Sequence, residues 1–532
     1  MSKFGSLTKR IISAAVAGTL LVAVPLSGCN LIEEKTKDKD SQNSEVTSTD
    51  SVTKFGDNIV VKSAHYKMSF DVMQYLFNSL YQQFLSENST TYFSTAQSLK
   101  EQYYNEEEST TWHDYFLENT KSYLKQIMVF AEAAEDAKME LSDEELQTIS
   151  DYRSSMESAA EQESKDLDTY VKDLYDGKIT VSDIEYVMKM TLLAQKYNNY
   201  LRESYKYTDS QYEAKFKEDE TKYEIADYHF YEFRYAETNI DGTSAEINED
   251  KKNKMKENAD ALANTKDAKE FETYLTKFLK ANPSLVSLTT TSEESITEED
   301  FNDAVNRAVE GTQYTKKTYS DGDEMSQWVF DKDRKANETK VFETASSYVV
   351  IMIDKPVYRD ETATRNVRHI LVSLSTHDES DTKTKKEAEK IYDEWQNGDA
   401  TEDSFAELAN KYSEDPGSNT NGGLYSNVSS GYMVPSFNDW MFDKNRKAGD
   451  TGIVSTDYGY HVMYYVGSGL TAWKVNVDSD LRQDDLKKSF EELSKKYEIE
   501  FDEDAIKDID VYPQVEESSV ESSTAGQNLA DQ

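Results

Sequence analysis

Apolar residues recur at helical spacing from Ser69 to about Glu220. The clearest stripe follows Ser182 and consists of Ile184, Val187, Met188, Thr191 and Leu192. This period is typical of helices that bury one face. Three pairs have capping-box spacing and predict helix starts: Ser142 with Glu145, Ser182 with Glu185, and Thr208 with Gln211. The many aromatic residues of this region predict a helical core or, taken together, an apolar cleft for unfolded segments.

Near Asp227 the pattern changes to alternating strands and helices. The stretches "YHFYEFRYA" (228–236) and "SSYVVIMIDK" (346–355) predict strands on either side of a helical middle. After Pro356 the cycle restarts with strand "RNVRHILVSL", two helices, the short helix "SFNDWMFDK" and the closing strand "GYHVMYYVG". Residues 474–510 return to a helical pattern and are expected to dock on the first domain. The order predicts an α+β protein.

A charged phrase occurs twice and indicates a duplication. "WVFDKDRKA" (328–336) and "WMFDKNRKA" (440–448) agree at seven of nine positions, at an offset of 112. In the ungapped alignment Val349 stands where the second copy has His461, and His229 is expected to correspond to His369. We therefore predict tandem units over 221–358 and 359–470, with the second histidine kept only in the later unit.

The first residues have the pattern of an export signal. Three basic residues precede an apolar run from Ile11 to Leu26, and Cys29, the only cysteine, follows Leu26-Ser27-Gly28. This arrangement resembles the lipobox of bacterial lipoproteins, which implies cleavage before Cys29 and attachment of lipid to its thiol. The alternative is an ordinary secretory signal followed by a chance cysteine. We predict a signal over 1–28 and a flexible tether over 29–54.

The formal net charge of −43 restricts the partners of the chain. Such a chain is repelled by nucleic acid and by bare anionic lipid, so attachment to a membrane would depend on the lipid anchor. A single cysteine excludes a framework of disulfides within the chain. The polar tail over 511–532 is expected not to fold.

Residues 365–467 contain four distinctive motifs: "RHILV" around His369, "SFAELANKYSEDPGSNTNGG", "GYMVPSF" and "YGYHVM" around His461. Together these motifs resemble the parvulin family of peptidylprolyl isomerases. With the signal and the helical region, the arrangement is similar to that of PrsA/SurA-type foldases. The resemblance implies a helical chaperone-like domain over 55–220, completed by 474–510. A degenerate parvulin-like domain over 221–358 and a parvulin domain over 359–470 would follow it.

The resemblance also implies roles for individual residues. The catalytic set would be His369, Asp415, His461 and Thr456, and the substrate-binding set Met433, Phe437, Tyr425 and Leu371. From the residues alone, Asp415 is equally well explained as a turn former in Asp-Pro-Gly. Met433 and Phe437, taken singly, are explained as ordinary core residues. Where many parvulins read Gly-Gly-Asp-Leu-Gly this chain reads "GGLYS", which places Tyr425 where a pocket leucine is usual.

These features favour a foldase anchored by lipid to the extracytoplasmic face of the cell membrane. It would isomerise X-Pro peptide bonds and assist the folding of exported proteins, with unfolded or newly exported polypeptides as partners. The alternative is a holdase chaperone that uses parvulin folds only as binding surfaces. We expect no cofactor, no metal and no nucleic acid, and a homodimer is left open.

Overall fold

The computed structural model describes residues 58–88, 92–107, 109–236, 247–287, 297–375 and 381–512. The predicted signal, the tether, Cys29 and residues 513–532 of the predicted tail lie outside the described residues. The described residues divide into two compact units, one formed by those up to residue 206 together with those from 482 onward, and the other by those from 207 to 481.

The first unit is mainly helical. Its N-terminal part contains strands β1 (Ile59–Lys62), β2 (Lys67–Ser69), β3 (Tyr103–Asn105) and β4 (Thr110–Thr111), and helices α1 (Phe70–Glu87), α2 (Trp112–Asp136), α3 (Asp143–Gln162), α4 (Leu167–Leu174) and α5 (Val181–Ser204). Apolar stripes of these helices form one continuous core, which includes the predicted Ile184 and Val187.

Two of the three predicted capping boxes are present, at Ser142 and at Thr208. The prediction at Ser182 was wrong, because the box is formed by Thr180 with Asp183 and helix α5 begins at Val181. Both pairs satisfy the same spacing rule, and the earlier one caps the helix because Thr180 has the extended backbone that an N-cap requires (φ −109°, ψ 162°).

The second unit contains two sheets, each covered by helices. In chain order its elements are α6 (Asp209–Glu218), α7 (Glu220–Tyr223), β5 (Ile225–Arg234), α8 (Glu249–Ala263), α9 (Ala268–Ala281), α10 (Glu298–Glu310), β6 (Gln313–Thr318), α11 (Glu324–Val329), β7 (Thr339–Glu343), β8 (Ser347–Tyr358), β9 (Ala363–Ser373), α12 (Asp381–Asn397), α13 (Glu402–Tyr412), β10 (Leu424–Val428), α14 (Pro435–Phe442), β11 (Thr451–Thr456) and β12 (Gly459–Thr471). The strand orders are β6-β5-β8-β7 and β10-β9-β12-β11, and all pairings are antiparallel.

The chain then returns to the first unit through helix α15 (Ala472–Lys496), strand β13 (Glu500–Phe501) and helix α16 (Glu503–Ile506). Strand β13 pairs with β1, with Val61 opposite Phe501. Leu486, Ile506 and Ile509 enter the core of the helical unit. The C-terminal segment therefore completes this unit, from Arg482 onward.

The repeated phrase builds the same turn in both sheets. In each copy an arginine lies over the indole of the tryptophan that opens the phrase. Its guanidinium carbon lies 5.3 Å from the ring centre for Arg334 on Trp328 and 3.8 Å for Arg446 on Trp440. These cation–π contacts fix the segment that follows helices α11 and α14.

The turn then bonds to the strand next to the edge strand, β8 or β12, at equivalent positions. Asn337 and Gly449 both have positive φ, 65° and 88°. The backbone N–H of Asn337 donates to the carbonyl of Ile353 at 2.6 Å, and that of Gly449 to the carbonyl of Tyr465 at 2.8 Å. The phrase is therefore retained in both copies by a structural requirement of the turn.

Candidate active site

The site of the second sheet begins with two histidines on adjacent central strands. His461 lies opposite Leu371 and His369 opposite Met463, so the histidines are diagonal neighbours on one face of the β9–β12 ladder. Their Nδ1 atoms are 3.0 Å apart, and their rings stack with centroids 5.2 Å apart. Both side chains are buried.

Asp415 reaches this pair from the loop that follows helix α13. The loop runs beside β9, because the N–H of Glu414 donates to the carbonyl of Leu371 at 2.9 Å and the N–H of Leu371 donates to Ser413 Oγ at 3.1 Å. This anchoring places Asp415 Oδ2 2.9 Å from His369 Nε2. The aspartate is thus part of the site as well as the start of a turn.

Thr456, the last residue of β11, completes the other end of the chain of contacts. Its Oγ1 lies 2.9 Å from His461 Nε2. With both imidazoles neutral and Asp415 ionised, one proton arrangement satisfies these three contacts: Thr456 donates to His461, His461 donates through Nδ1 to His369, and His369 donates through Nε2 to Asp415. Side chains from three separate segments of the chain, β9, the loop after α13 and the β11–β12 hairpin, therefore form one directional hydrogen-bond chain.

Burial and hydrogen bonding set the protonation states of His461 and Asp415. Burial lowers the pKa of His461 to about 3, so this ring is neutral at neutral pH. Burial alone would raise the pKa of Asp415, but hydrogen bonds from His369, Ser418 and Tyr425 outweigh it and hold that pKa well below its usual range. Asp415 is therefore an ionised acceptor.

An apolar wall lies directly against the histidines. Phe437, the third residue of helix α14, is 2% exposed, and its ring centre lies 5.3 Å from each imidazole, edge to face. Met433 is half-buried against the same apolar cluster, and so is Tyr425. Leu371 is half-buried on the face of His369. The predicted substrate-binding residues thus lie on the same face of the sheet as the catalytic set.

Sequence reasoning missed Ser418 and gave Tyr425 only a place in the pocket wall. Ser418 Oγ donates to Asp415 Oδ2 at 2.5 Å, and the Tyr425 hydroxyl donates to the same oxygen at 3.0 Å. The motif "DPGS" offered a signal for the serine, since a hydroxyl three residues after an aspartate can return to it across a tight turn.

The first sheet lacks this arrangement. In the β7–β8 hairpin Phe342 lies opposite Val349, as Val454 lies opposite His461 in the second sheet, so the predicted equivalence of Val349 and His461 agrees with the hairpin register. Val349 is buried in an apolar cluster with Phe330 and Val329 of the α11 region.

The expected correspondence of His229 with His369 was wrong. His229 lies on the opposite face of its sheet, where its ring contacts Phe271 of helix α9 and its Nδ1 lies 2.8 Å from Asp354. On the face toward helix α11, Phe230 occupies the place of His369. A shift of one residue in a strand moves a side chain to the other face, so the first copy carries neither histidine of the pair.

In the described part of the chain, no group of three or more His, Cys, Asp or Glu side chains has a geometry that could hold a metal ion. No helix in these ranges is both long enough and apolar enough to cross a bilayer.

Comparison with known proteins places the site in a named domain. Residues 351–466 match the family model of the PPIC-type PPIase domain. The chain is 41% identical over 109 residues to the chaperone SurA of Pseudomonas savastanoi pv. phaseolicola, a match that covers 20% of this chain and 23% of SurA. It is 30% identical over 162 residues to the foldase protein PrsA 3 of Bacillus cereus, over 30% of this chain and 50% of that protein.

A crystal structure of PrsA from Bacillus subtilis aligns with 60% of this chain and 90% of its own, at 18% identity and a TM-score of 0.19. At that score the assignment rests on the sequence matches alone. The chain spans between about a quarter and half of the length of these curated relatives. Residues 351–466 are therefore a PPIC-type domain of the parvulin family, and through this domain the chain is a relative of the PrsA/SurA-type foldases.

Proposed function

We propose that the chain is a foldase that catalyses cis–trans isomerisation of X-Pro peptide bonds in exported polypeptides. The observation that carries the proposal is the continuous hydrogen-bond chain from Thr456 through His461 and His369 to Asp415, beside the ring of Phe437. The relatives named above are a chaperone and a foldase, which supports polypeptides as the substrate class.

Isomerisation breaks no covalent bond, so the site has to favour a twisted amide. Rotation about a peptide bond faces a barrier of about 18–20 kcal/mol because the planar form is stabilised by resonance. That resonance places partial negative charge on the carbonyl oxygen. An ionised Asp415 near the bound amide would weaken the resonance by repulsion, and the dry site would strengthen that effect.

The apolar wall supplies the grip that the reaction needs. Phe437 and Met433 would seat the prolyl ring, while Leu371 would contact the residues beside it. A rigid seat holds the proline while the rest of the chain turns, so that binding energy is used where the amide is twisted. The buried histidine pair would form a rigid base beside the prolyl ring, because the hydrogen bonds of the ring nitrogens hold both imidazoles in one orientation.

We also propose that the chain is anchored at the extracytoplasmic face of the cell membrane through lipid on Cys29. The signal-like segment and the single cysteine support this location. Metabolic labelling with a fatty-acid analogue tests it: the chain should take up label, and Cys29→Ser should not. Equal labelling of both would contradict the anchor. Mass photometry of the purified chain tests the homodimer that the sequence leaves open.

Refolding of a client limited by proline isomerisation tests the main proposal. The purified chain should accelerate the slow refolding phase at catalytic concentrations, and His461→Ala should lose most of that acceleration. Val349→Ala is the matched control, since it changes the equivalent position of the first copy. Equal rates with the chain and with His461→Ala would contradict the isomerase proposal.

A holdase is the second candidate, and one contact favours it. Tyr425 stands in the apolar wall, and its hydroxyl is bonded to Asp415, so the protein's own side chain occupies part of the region in which a prolyl ring would sit. A holdase would suppress client aggregation at stoichiometric concentrations, equally well in the wild type and in His461→Ala. It would leave the slow refolding phase unchanged.

A further inference from the structure

The two oxygens of Asp415 have different surroundings. Oδ2 faces three side-chain donors: His369 Nε2 at 2.9 Å, Ser418 Oγ at 2.5 Å and the Tyr425 hydroxyl at 3.0 Å. Oδ1 accepts the backbone N–H of Gly417 at 3.3 Å. The donors therefore converge on the oxygen that His369 also uses, which fixes the carboxylate in one orientation.

Ser418 is built into this position by its backbone. The side chain is 1% exposed, and the backbone N–H donates to the carbonyl of Asp415 at 3.2 Å across the turn. The carbonyl of Ser418 accepts the N–H of Gly423 at 2.8 Å, which ties the turn to the strand that follows. A buried hydroxyl held at both backbone ends has little freedom to turn away from the carboxylate.

Tyr425 lies on a different element, strand β10, and its hydroxyl reaches the same oxygen through the space left by the missing side chain of Gly417. It lies on β10 opposite Val367, and its ring centre is 5.4 Å from that of His369. A Cβ on Gly417 would lie 2.6 Å from the Tyr425 hydroxyl oxygen, so the missing side chain at Gly417 makes room for the phenol. Burial, together with the charge of Asp415, raises the pKa of Tyr425, so the phenol keeps the proton that it donates.

We propose that Ser418 and Tyr425 are positioning residues, which hold Asp415 ionised and oriented so that His369 keeps its proton on Nε2. The inference rests on the proposed isomerase function and gives Tyr425 a role other than contact with substrate. An ionised Asp415 accepts a hydrogen bond from His369 Nε2, and in the neutral ring this leaves Nδ1 as the acceptor for His461. Two hydroxyl groups outside the histidine pair thereby set the direction of the whole hydrogen-bond chain.

The test compares Tyr425→Phe and Ser418→Ala in the full chain, with exposed Tyr432→Phe and Ser430→Ala as matched controls. Each lost donor loosens the orientation of Asp415, so in each variant kcat should fall by about tenfold at constant KM. The controls should match the wild type. An unchanged kcat in both variants, or a change in KM alone, would overturn the positioning role.

A double-mutant comparison separates positioning from general structural damage. Asp415→Asn removes the group on which both hydroxyls act, so Tyr425→Phe should lower the activity of Asp415→Asn by less than twofold. An additional tenfold loss in that background would show that Tyr425 acts elsewhere, and would overturn the proposal.

A wild-type chain without isomerase activity would contradict the proposed function, but the positioning role would still be measurable. Nitrogen NMR of the chain with labelled histidine distinguishes the tautomers, and only six histidines contribute signals. The proposal expects His369 protonated on Nε2 in the wild type, with this state lost in the Ser418→Ala/Tyr425→Phe double variant. Identical ring-nitrogen signals in both proteins would overturn it.

Discussion

Gly423 is the residue at which backbone conformation and site geometry depend most closely on each other. Its carbonyl accepts the backbone N–H of His369 at 2.8 Å, and its φ is 71°. A Cβ at this position would lie 2.1 Å from the carbonyl oxygen of His369 and 3.0 Å from Cβ of Ala409. Gly423→Ala therefore forces the β10 segment away from the strand that carries His369.

The expected loss of stability has two parts. Holding alanine at positive φ costs about 1 kcal/mol. Relief of the contact with His369 requires backbone movement that breaks or stretches one buried hydrogen bond, at about 1–1.5 kcal/mol. We expect about 2–3 kcal/mol in total, together with a loss of isomerase activity of more than tenfold because His369 moves.

Gly431→Ala is the matched control for this substitution. Gly431 also has positive φ, 86°, but a Cβ there would meet no atom within 4 Å. It should therefore lose only the conformational part, about 1 kcal/mol, and keep its activity. Calorimetry of both variants, with hydrogen exchange to assign the transition of the PPIC domain, should show Gly423→Ala unfolding roughly 5–10 °C below Gly431→Ala. Equal unfolding midpoints and equal activities of Gly423→Ala and Gly431→Ala would show that the close contact between Gly423 and His369 does not determine the site geometry.

Three further predictions follow from the contacts of the second unit. His461 has a pKa of about 3 when folded, far below its unfolded value of about 6.5, so the unfolded chain binds the extra proton and stability falls as the pH drops between these values. In urea unfolding, the wild type should therefore lose about 1–2 kcal/mol more than His461→Gln from pH 6.5 to pH 5, and parallel curves would contradict this. Val349→His should destabilise the first sheet by about 2 kcal/mol, because the imidazole enters an apolar cluster, and it should create no isomerase activity. The contrary result would be a Val349→His/His461→Ala variant that is stable and has isomerase activity. Arg446→Ala should lower the free energy of unfolding by about 1 kcal/mol and Arg334→Ala by less, because the guanidinium of Arg446 lies closer to its indole. A larger loss of thermal stability in Arg334→Ala than in Arg446→Ala would argue against the cation–π contact.

Much of the fold could be predicted from local pattern. The run "SSYVVIMIDK" predicted a strand and forms most of β8. Its valines and isoleucines favour a strand, and all seven residues from Ser347 to Ile353 are buried. The phrase around Trp440 predicted a structural repeat, because the cation–π contact that fixes its turn joins residues close together in sequence. The histidine pair and Asp415 were found through the family resemblance, since contacts between distant segments leave no local signal.

The errors occurred where the pattern was ambiguous. The strand "YHFYEFRYA" has apolar or aromatic residues on both faces, so alternation did not show which face His229 occupies. At the start of α5 two overlapping pairs satisfied the capping rule, and backbone geometry decided for Thr180. Ser418 depends on a turn that brings its hydroxyl back to Asp415, a contact that composition does not reveal.

We propose that one histidine pair, in the later of two related sheets, catalyses the rotation of X-Pro bonds. Exchange spectroscopy on a short proline peptide measures that rotation directly, without a folding client. The full chain should accelerate cis–trans exchange, His461→Ala should lose at least tenfold of the acceleration, and Val349→Ala should retain it. Exchange at the uncatalysed rate with the wild-type chain, or equal acceleration by His461→Ala, would mean that the histidine pair does not catalyse the rotation.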